Sequence, residues 1–321
     1  MKLGVFTCLL GNLPFEEALA YFASMGIRTV EIGTGGYPGK AHADPDVLLN
    51  DEKKFSEFKA LIDKYNLEIS ALSCHANPVH PDKQTAADFD KAIRDTILLA
   101  EKLGIRNINT FSGCPGDWEG AKAPNWVTCP WPNEYSEVLE WQWNAVLIPY
   151  WKDLVSFAKA HGVDKIGLEM HPGFCVYNTE SLLKLRAAVG PEIGANFDPS
   201  HLVWQGMDPI ASIRALGDAI FHFHGKDTKI DKYNTAVNGV LDTKPYGDEL
   251  HRSWIFRSIG YGNDASYWKD IVSNLRMVGY DYVISIEHED SLMSQNEGLG
   301  KAVAMLKEVL VTESVGEMWW V

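Results

Sequence analysis

The chain has few cysteines, and it has no apolar run long enough to cross a membrane. Its five cysteines are scattered and show no CxxC spacing, so we expect reduced thiols rather than a disulfide framework or a cysteine zinc site. The start, MKLGVFTCLLGNL, lacks the apolar stretch and the small-residue cleavage site of a signal peptide. These absences predict a cytoplasmic protein with no membrane partner.

Positive charge is also scarce. Asp and Glu total 43 against 29 Lys and Arg, which gives a net charge of −14. A chain this acidic has no general attraction for a nucleic-acid backbone or an anionic membrane, so nucleic acid is not expected as a partner. A small phosphorylated ligand is not excluded, because one well-placed lysine or arginine would be enough to bind it.

A glycine-rich phosphate turn is missing after the first apolar run, where the chain has CLLGNLPFEEA in place of GxGxxG. This argues against an open, doubly wound nucleotide-binding sheet. The chain instead has eight alternations of β-rich and amphipathic segments, which favour a single (β/α)8 TIM-barrel domain over residues 1–321. Strands are predicted near 2–7, 28–32, 68–73, 105–111, 164–169, 193–197, 219–224 and 282–287. Helices are predicted near 14–25, 51–65, 85–103, 134–161, 179–189, 208–215, 266–279 and 294–311.

Three segments that follow predicted strands, 33–50, 112–133 and 228–264, are longer than ordinary loops. The C-terminal ends of barrel strands share one rim, so these loops are expected to form the wall or lid of a pocket. Trp118 and Arg252 lie in them and are candidates for substrate contacts, although the loop aromatics can instead pack the loops onto the barrel. The apolar tail GEMWWV predicts docking on the barrel or on a second subunit, and hence a possible homo-oligomer.

The second half of the chain contains four apolar runs that end in metal-type ligands. The runs IGLEMHP, IGANFDPSH, AIFHFHGKD and YVISIEHED carry Glu169, Asp198, His224 and Glu287. Four successive strands that end in this way should bring these side chains to one point on the rim. Three carboxylates and an imidazole suit one divalent cation; Mn²⁺ is favoured, and Mg²⁺, Co²⁺ and Zn²⁺ stay open. The alternative, in which each residue caps a helix or pairs with a lysine, would require the same coincidence on four strands.

Four further polar residues lie near these strand ends and are candidates for substrate binding: His75, His171, His201 and Lys226. His201 could contact a substrate oxygen or orient a metal ligand. For His201, the structural alternative is a hydrogen bond at a helix N-terminus. For Lys226, the alternative is an ion pair with the aspartate that follows it.

Glu31 and His222 are two further polar residues on predicted barrel strands. Glu31 is expected to face the interior at the rim, where it could contact substrate hydroxyls or form a buried ion pair. His222 precedes His224 on the same strand, and we expect it to point the other way and pack between strand and helix.

The order Glu, Asp-x-x-His, His-x-Lys-Asp, Glu resembles the xylose-isomerase-like TIM-barrel superfamily, which contains sugar isomerases, ketose 3-epimerases, inosose dehydratases and endonuclease IV. The resemblance covers nearly the whole chain, from VFT to SIEHED. It implies a metal bound by Glu169, Asp198, His224 and Glu287, with His201 alongside.

Two departures from the superfamily pattern narrow the expectation. Endonuclease IV uses extra histidines and an Asp-x-His pair to hold three zinc ions, whereas strand four here ends in Asn-Thr-Phe and 228–264 contains no Asp-x-His. Ketose 3-epimerases usually place an arginine shortly after the histidine of strand seven, where this chain has Gly-Lys-Asp-Thr-Lys-Ile. A one-metal sugar enzyme is therefore favoured over a nuclease, and epimerisation of a free ketohexose is less favoured.

These observations predict a divalent-metal-dependent sugar isomerase or epimerase. Glu169 and Glu287 would remove and return a proton next to a carbonyl, by way of a metal-bound enediolate. The alternative is a lyase or dehydratase that expels a group from the same enolate, acting on keto sugars, inososes or 3-oxo-glycosides. A third interpretation is a barrel that binds a sugar without turning it over.

Overall fold

The protein is described by a computed structural model that covers residues 1–314 and 316–321. Eight parallel strands form a closed barrel, with each strand next to its neighbour in the chain and the last strand paired with the first. The barrel strands are β1 (Lys2–Phe6), β2 (Thr29–Gly33), β3 (Glu68–Ser73), β4 (Asn107–Thr110), β5 (Lys165–Glu169), β6 (Ile193–Phe197), β7 (Ile220–Gly225) and β10 (Val283–Ile286). The predicted (β/α)8 architecture is confirmed.

Helices cover the outside of the barrel. The long helix α4 shows why the sequence forms them: the Asp82 carboxylate accepts the Thr85 N–H at the start, and Gly104 ends the helix with a φ of 72°. Among the described residues, none of the helices is both long and apolar enough to span a bilayer. The helices are α1 (Phe15–Ser24), α2 (Pro45–Leu48), α3 (Glu52–Lys64), α4 (Lys83–Leu103), α5 (Asn133–Trp141), α6 (Ile148–Ala160), α7 (Thr179–Val189), α8 (Pro199–Trp204), α9 (Pro209–Leu216), α10 (Lys232–Asn238), α11 (Ala265–Met277) and α12 (Gln295–Val309).

The helix predicted over 134–161 is interrupted. A π-helical segment, Gln142–Leu147, separates α5 from α6. Pro149 follows this segment and has no N–H to donate to the carbonyl four residues earlier, so the regular α-helical hydrogen bonding cannot continue through it.

The long segment 228–264 is more ordered than a loop. It contributes to a two-stranded antiparallel hairpin, β8 (Asp227–Ile230) with β9 (Trp254–Arg257). Trp254 and Phe256 alternate along β9 and are buried, and the Trp254 ring stacks on Trp204 of α8 at 4.5 Å. The hairpin is therefore fixed on the C-terminal rim, beside the ends of β6 and β7.

Asp227 ties this hairpin to the chain that follows it. Its carboxylate accepts the backbone N–H groups of Gly260, Gly262 and Asn263 at 3.1, 3.1 and 2.9 Å. We expect Asp227→Asn to lower the free energy of unfolding by about 1–3 kcal/mol, because the new NH₂ group faces these donors. A urea titration measures this, and an unchanged midpoint would show that the anchor is dispensable. Metal affinity should stay at the wild-type value.

The apolar tail does not pack onto the barrel in the described part of the chain. Trp319 and Trp320 are 88% and 66% exposed, and Val321 is 95% exposed. The expected docking on the barrel is not observed, and association with a second subunit stays a prediction.

Candidate active site

The four predicted ligands meet at the C-terminal rim. Glu169 is the last residue of β5, Asp198 follows β6 as the N-cap of α8, His224 lies near the end of β7, and Glu287 follows β10. One ligand atom from each lies within 4.8 Å of the others. We call these four residues the carboxylate cluster.

Three histidines surround Glu169. Its Oε1 lies 3.0 Å from His201 Nε2, and its Oε2 lies 3.0 Å from His75 Nε2 and 3.3 Å from His224 Nδ1. Glu287 reaches the same His224 nitrogen, with Oε2 at 3.1 Å. The two glutamates thus share one imidazole nitrogen as their common neighbour.

Lys226 is buried beside the cluster. Its Nζ lies 3.0 Å from Asp198 Oδ2 and 2.9 Å from both Glu287 Oε2 and Glu289 Oε2. Burial lowers the pKa of Lys226, but these carboxylates raise it well above its usual value. A lysine this enclosed stays charged only with such partners. The alternative pairing with Asp227 does not occur, since that carboxylate binds loop amides.

Both glutamates of the cluster are ionised. Burial raises the pKa of Glu287, but Lys226 and His224 lower it further, to about 2. Burial likewise raises the pKa of Glu169, and the contacts from His201, His224 and His75 bring it well below its usual range. At neutral pH both side chains can therefore bind a cation or accept a proton.

The donor set of the cluster fits a divalent cation. Asp198 Oδ2 and Glu287 Oε2 are buried and accept no hydrogen bond of proper geometry from the described residues, although Lys226 lies at ion-pair distance. Buried carboxylate oxygens without such partners are costly. Three carboxylates and one imidazole are ligands that Mn²⁺, Mg²⁺, Co²⁺ and Zn²⁺ all accept.

A small cavity of about 260 Å³ lies next to neighbours of the cluster: Glu289, which pairs with Lys226, lines it, whereas the four cluster residues do not. His171 lines it, together with Tyr246 and Phe256 from the hairpin segment and Glu289. Burial and the neighbouring charge of His201 lower the pKa of His171 to about 3, so its ring is neutral. The cavity offers apolar surface next to polar groups, as binding sites for small molecules usually do.

Two predicted contact residues are not brought to the cluster. Trp118 is 64% exposed, and its ring lies against Gly120. The Arg252 guanidinium donates to the backbone carbonyls of Trp254 and Lys244 and stacks on the Tyr246 ring. Arg252 therefore stabilises the hairpin segment, and contact of either residue with a substrate would require the loops to move.

The structure corrects the expectation for His222 and identifies the partners of Glu31. Residues two apart on a strand point to the same face, so His222 lies inside the barrel beneath His224, and the prediction that it packs against a helix is wrong. Its ring nitrogens lie 3.1 Å from Ser70 Oγ and 3.0 Å from Asn196 Oδ1. Glu31 faces the barrel interior, as expected; it is fully buried and lies 3.0 Å from His224 Nε2.

Glu289 was missed by the sequence analysis. It lies two residues after Glu287, beyond the end of β10, and contacts Lys226 and the small cavity. The only signal was the acidic spacing in SIEHED, which is common on surfaces. A larger cavity of about 850 Å³ lies at the other end of the barrel, lined by residues at the strand N-termini such as Asn107 and Lys165. None of the candidate residues lines it.

Comparison with known proteins gives consistent matches. Residues 19–309 match the family model of the xylose isomerase-like TIM barrel. The uncharacterized protein YfiH of Bacillus subtilis is 43% identical over 316 residues, which are 97% of this chain and 99% of that protein. The rhizopine catabolism protein MocC of Rhizobium meliloti is 26% identical over 281 residues, covering 87% of this chain and 76% of that protein.

Solved structures with the same fold share less sequence. The IolI protein with a bound zinc atom has a TM-score of 0.65 at 19% identity and covers 97% of this chain and 98% of its own. A D-tagatose 3-epimerase-like protein has a TM-score of 0.64 at 22% identity, with 96% and 98% covered. The probable 3-DHS dehydratase AsbF of Bacillus anthracis has a TM-score of 0.64 at 18% identity, with 96% and 99% covered. These structures support the fold, and the family match covers most of the chain. The chain therefore belongs to the xylose isomerase-like TIM barrel family.

Proposed function

We propose that the protein is a divalent-metal-dependent sugar isomerase or epimerase that transfers a proton next to a carbonyl group. The observation that carries the proposal is the carboxylate cluster. Glu169 at the end of β5 and Glu287 after β10 are both ionised, and both contact His224. The names of the related proteins support it, since they include an epimerase-like protein and a protein with bound zinc.

Glu169, Asp198, His224 and Glu287 are the proposed ligands of the cation. A bound divalent cation supplies Lewis-acid charge next to the substrate carbonyl, an effect worth several kcal/mol in other enzymes. Asp198 and His224 are proposed to act only as ligands of the cation.

Glu169 and Glu287 are the proposed acid–base pair. One carboxylate takes the proton from the carbon beside the carbonyl. The other first takes a proton from a solvent water and then delivers it to the opposite face or to the neighbouring carbon, while the first carboxylate releases its own proton to solvent. Which glutamate acts first depends on the face on which the substrate binds. Both side chains are ionised, Glu169 is buried and Glu287 is only 16% exposed, so each can accept a proton.

The remaining polar groups are proposed to bind substrate oxygens. Both ring nitrogens of His75 are buried without a well-aligned hydrogen-bond partner among the described residues, so a sugar hydroxyl can satisfy them. His201 and Lys226 are donors at the same rim. His171 lies where a more distant part of the substrate would reach.

Elimination is the second candidate function, and the small cavity favours it. A cavity of about 260 Å³ lined by Tyr246 and Phe256 beside the cluster has room for a substituent larger than a sugar hydroxyl. If the substituent is on the carbon next to the one that loses its proton, removal of that proton allows the substituent to be expelled as a leaving group. One of the structural relatives is named as a dehydratase.

One experiment separates these reactions. Purified protein with Mn²⁺ is incubated in D₂O with a panel of ketohexoses, an inosose and a 3-oxo-glucoside, and the products are analysed by mass spectrometry. Deuterium on an intact carbon skeleton supports isomerisation or epimerisation, whereas release of water or of the aglycone supports elimination. A barrel that binds sugar without catalysis would give neither result with any compound of the panel.

Lys226 provides a further prediction about the cluster. We expect Lys226→Met to lower the metal-free free energy of unfolding by about 3–5 kcal/mol, because three buried or partly buried carboxylates lose their shared cation. Added Mn²⁺ should restore part of this loss, so the rise in melting temperature on adding Mn²⁺ should be larger in the variant than in wild type. Thermal melts of both proteins with and without Mn²⁺ measure this. An equal rise in both would contradict the proposal that the cation binds beside Lys226.

A further inference from the structure

Glu31 is a carboxylate inside the barrel that lies outside the proposed ligand set. It comes from β2, across the barrel from β6 and β7, and its side chain is fully buried. Three neutral donors hold it: Ser73 Oγ at 2.5 Å, Asn109 Nδ2 at 3.0 Å and Ser285 Oγ at 2.7 Å. A buried charge with this many donors has a defined position and orientation.

The fourth contact of Glu31 is to His224. Both carboxylate oxygens lie 3.0 Å from His224 Nε2, while His224 Nδ1 faces Glu169 and Glu287 on the other side of the ring. The two nitrogens of one imidazole therefore have different surroundings. Nδ1 belongs to the carboxylate cluster, and Nε2 belongs to the barrel interior.

The surroundings of Nε2 determine where its proton lies. The Glu31 carboxylate, which already holds three donors, accepts hydrogen bonds and favours a protonated Nε2, whereas the Asn196 Nδ2 group, 3.1 Å from Nε2, only donates and favours an unprotonated one. The contact with the carboxylate outweighs the one with Asn196, because both Glu31 oxygens lie 3.0 Å from Nε2 and a hydrogen bond to a charged acceptor is about twice as strong as a neutral one. Nε2 must then carry a proton and donate it to Glu31, since an unprotonated nitrogen would face two anionic oxygens.

We infer that Glu31 is a positioning residue that holds His224 in the tautomer with Nε2 protonated, which leaves Nδ1 free to bind the cation. This inference rests on the proposed function. A carboxylate that fixes a metal-binding histidine in this way also fixes the plane of its ring, and loss of such partners typically costs about 10–100-fold in metal affinity or activity.

A competing explanation is that Glu31 is itself a metal ligand. Glu31, His222 and His224 also bring one ligand atom each within 4.8 Å of the others. The three donors on Glu31 argue against this, because they already occupy most of the lone pairs of its two oxygens. The two explanations differ in stoichiometry: a positioning role predicts one cation per chain, and a ligand role predicts a second.

The tautomer can be tested in the unmodified protein. We would label the protein with ¹⁵N-histidine, load it with Zn²⁺, which is diamagnetic, and record long-range ¹H–¹⁵N correlation spectra. His224, identified by loss of its signals in His224→Gln, should show a protonated Nε2 and a metal-bound Nδ1. The reverse assignment, with Nδ1 protonated and Nε2 bound to metal, would overturn the inference without any substitution of Glu31.

The variant Glu31→Gln tests the energetic consequence. We expect its dissociation constant for Co²⁺ to rise by about 10–100-fold, with a changed visible absorption spectrum of the bound Co²⁺. Ser73→Ala is the matched control, since it perturbs the same buried network but leaves the Glu31 contact with His224; its Co²⁺ affinity should stay close to that of wild type. If Glu31→Gln does not fold, Glu31→Asp, which keeps the charge at a greater distance, should show a smaller loss of affinity.

The outcomes distinguish this inference from the proposed function. Wild-type Co²⁺ affinity and spectrum in folded Glu31→Gln would overturn the positioning role while leaving the metal site intact. Two Co²⁺ equivalents in wild type, with loss of one in Glu31→Gln, would identify Glu31 as a ligand and also overturn it. Absence of Co²⁺ binding by the wild-type protein would instead overturn the proposed function.

Discussion

Replacement of Glu169 or Glu287 by glutamine should abolish the exchange of a carbon-bound substrate proton with solvent. Glutamine has nearly the shape of glutamate but cannot accept the proton, so the rate at saturating Mn²⁺ should fall by about 10²–10⁴-fold or more. The rate is followed as deuterium incorporation by mass spectrometry, with the substrate that the panel of keto sugars identifies. Saturating metal is needed because both residues are also proposed ligands, and metal content is measured on the same samples.

Glu192→Gln is the matched control for this pair. Glu192 precedes β6 at the opposite end of the barrel and forms an ion pair with Lys159 at 2.6 Å. Glu192→Gln also replaces a largely buried glutamate by glutamine, but away from the cluster, and it should leave the exchange rate unchanged. Exchange that persists at the wild-type rate in metal-loaded Glu169→Gln and Glu287→Gln would contradict the acid–base roles. Binding of a sugar that survives both changes, without any exchange in wild type, would favour a non-catalytic barrel.

Replacement of Asp198 by alanine should remove the cation. The Asp198 carboxylate has one oxygen on the Ser200 N–H and the other buried in the cluster, so alanine deletes a ligand that no neighbour can replace. We expect the dissociation constant for Mn²⁺ to rise by more than the roughly 10–100-fold that follows loss of an outer contact. Titration calorimetry and elemental analysis of protein dialysed against Mn²⁺ measure the change.

The chain provides a close control for this substitution. Asp208 is also an aspartate followed by proline, it also caps a short helix, and its carboxylate accepts the Ile210 N–H at 2.8 Å, as Asp198 accepts the Ser200 N–H at 2.8 Å. Asp208→Ala therefore removes an equivalent cap without touching the cluster. Mn²⁺ should bind Asp208→Ala as it binds wild type. Equal losses in the two variants would show that the cap, rather than a ligand, had been removed.

The fold and the carboxylate cluster could be predicted from the sequence because of the direction of the strands. Parallel strands run in one direction, so the last residue of each strand falls on the same rim, and four successive runs ended in Glu169, Asp198, His224 and Glu287. Strand ends in a barrel are fixed by chain order alone. No knowledge of the packing was needed to expect these side chains near one another.

Other features depended on packing that a sequence pattern does not contain. Glu31 was expected to face the barrel interior, either towards substrate or in an ion pair, but its partners Ser73, Asn109 and Ser285 lie on other strands and could not be predicted. Glu289 lies beyond a strand end, where no periodicity restricts the side chain. The error on His222 was different, because the period of a strand does predict that it shares a face with His224.

The long segment 228–264 shows a third limit. Its aromatics were treated as a possible pocket wall, and the structure divides them. Trp254 and Arg252 stabilise the hairpin segment, whereas Tyr246 and Phe256 line the small cavity. Composition identified a loop rich in rings, but which rings face the cavity depends on how the folded segment packs on the rim.

The most direct test of a single cation bound by the carboxylate cluster is a crystal structure of the protein grown with Mn²⁺, with data collected for anomalous scattering of manganese. We expect one strong anomalous peak per chain, within about 2.5 Å of oxygens from Glu169, Asp198 and Glu287 and of Nδ1 of His224. No peak at the cluster, or a peak bound instead between Glu31 and His222, would contradict it.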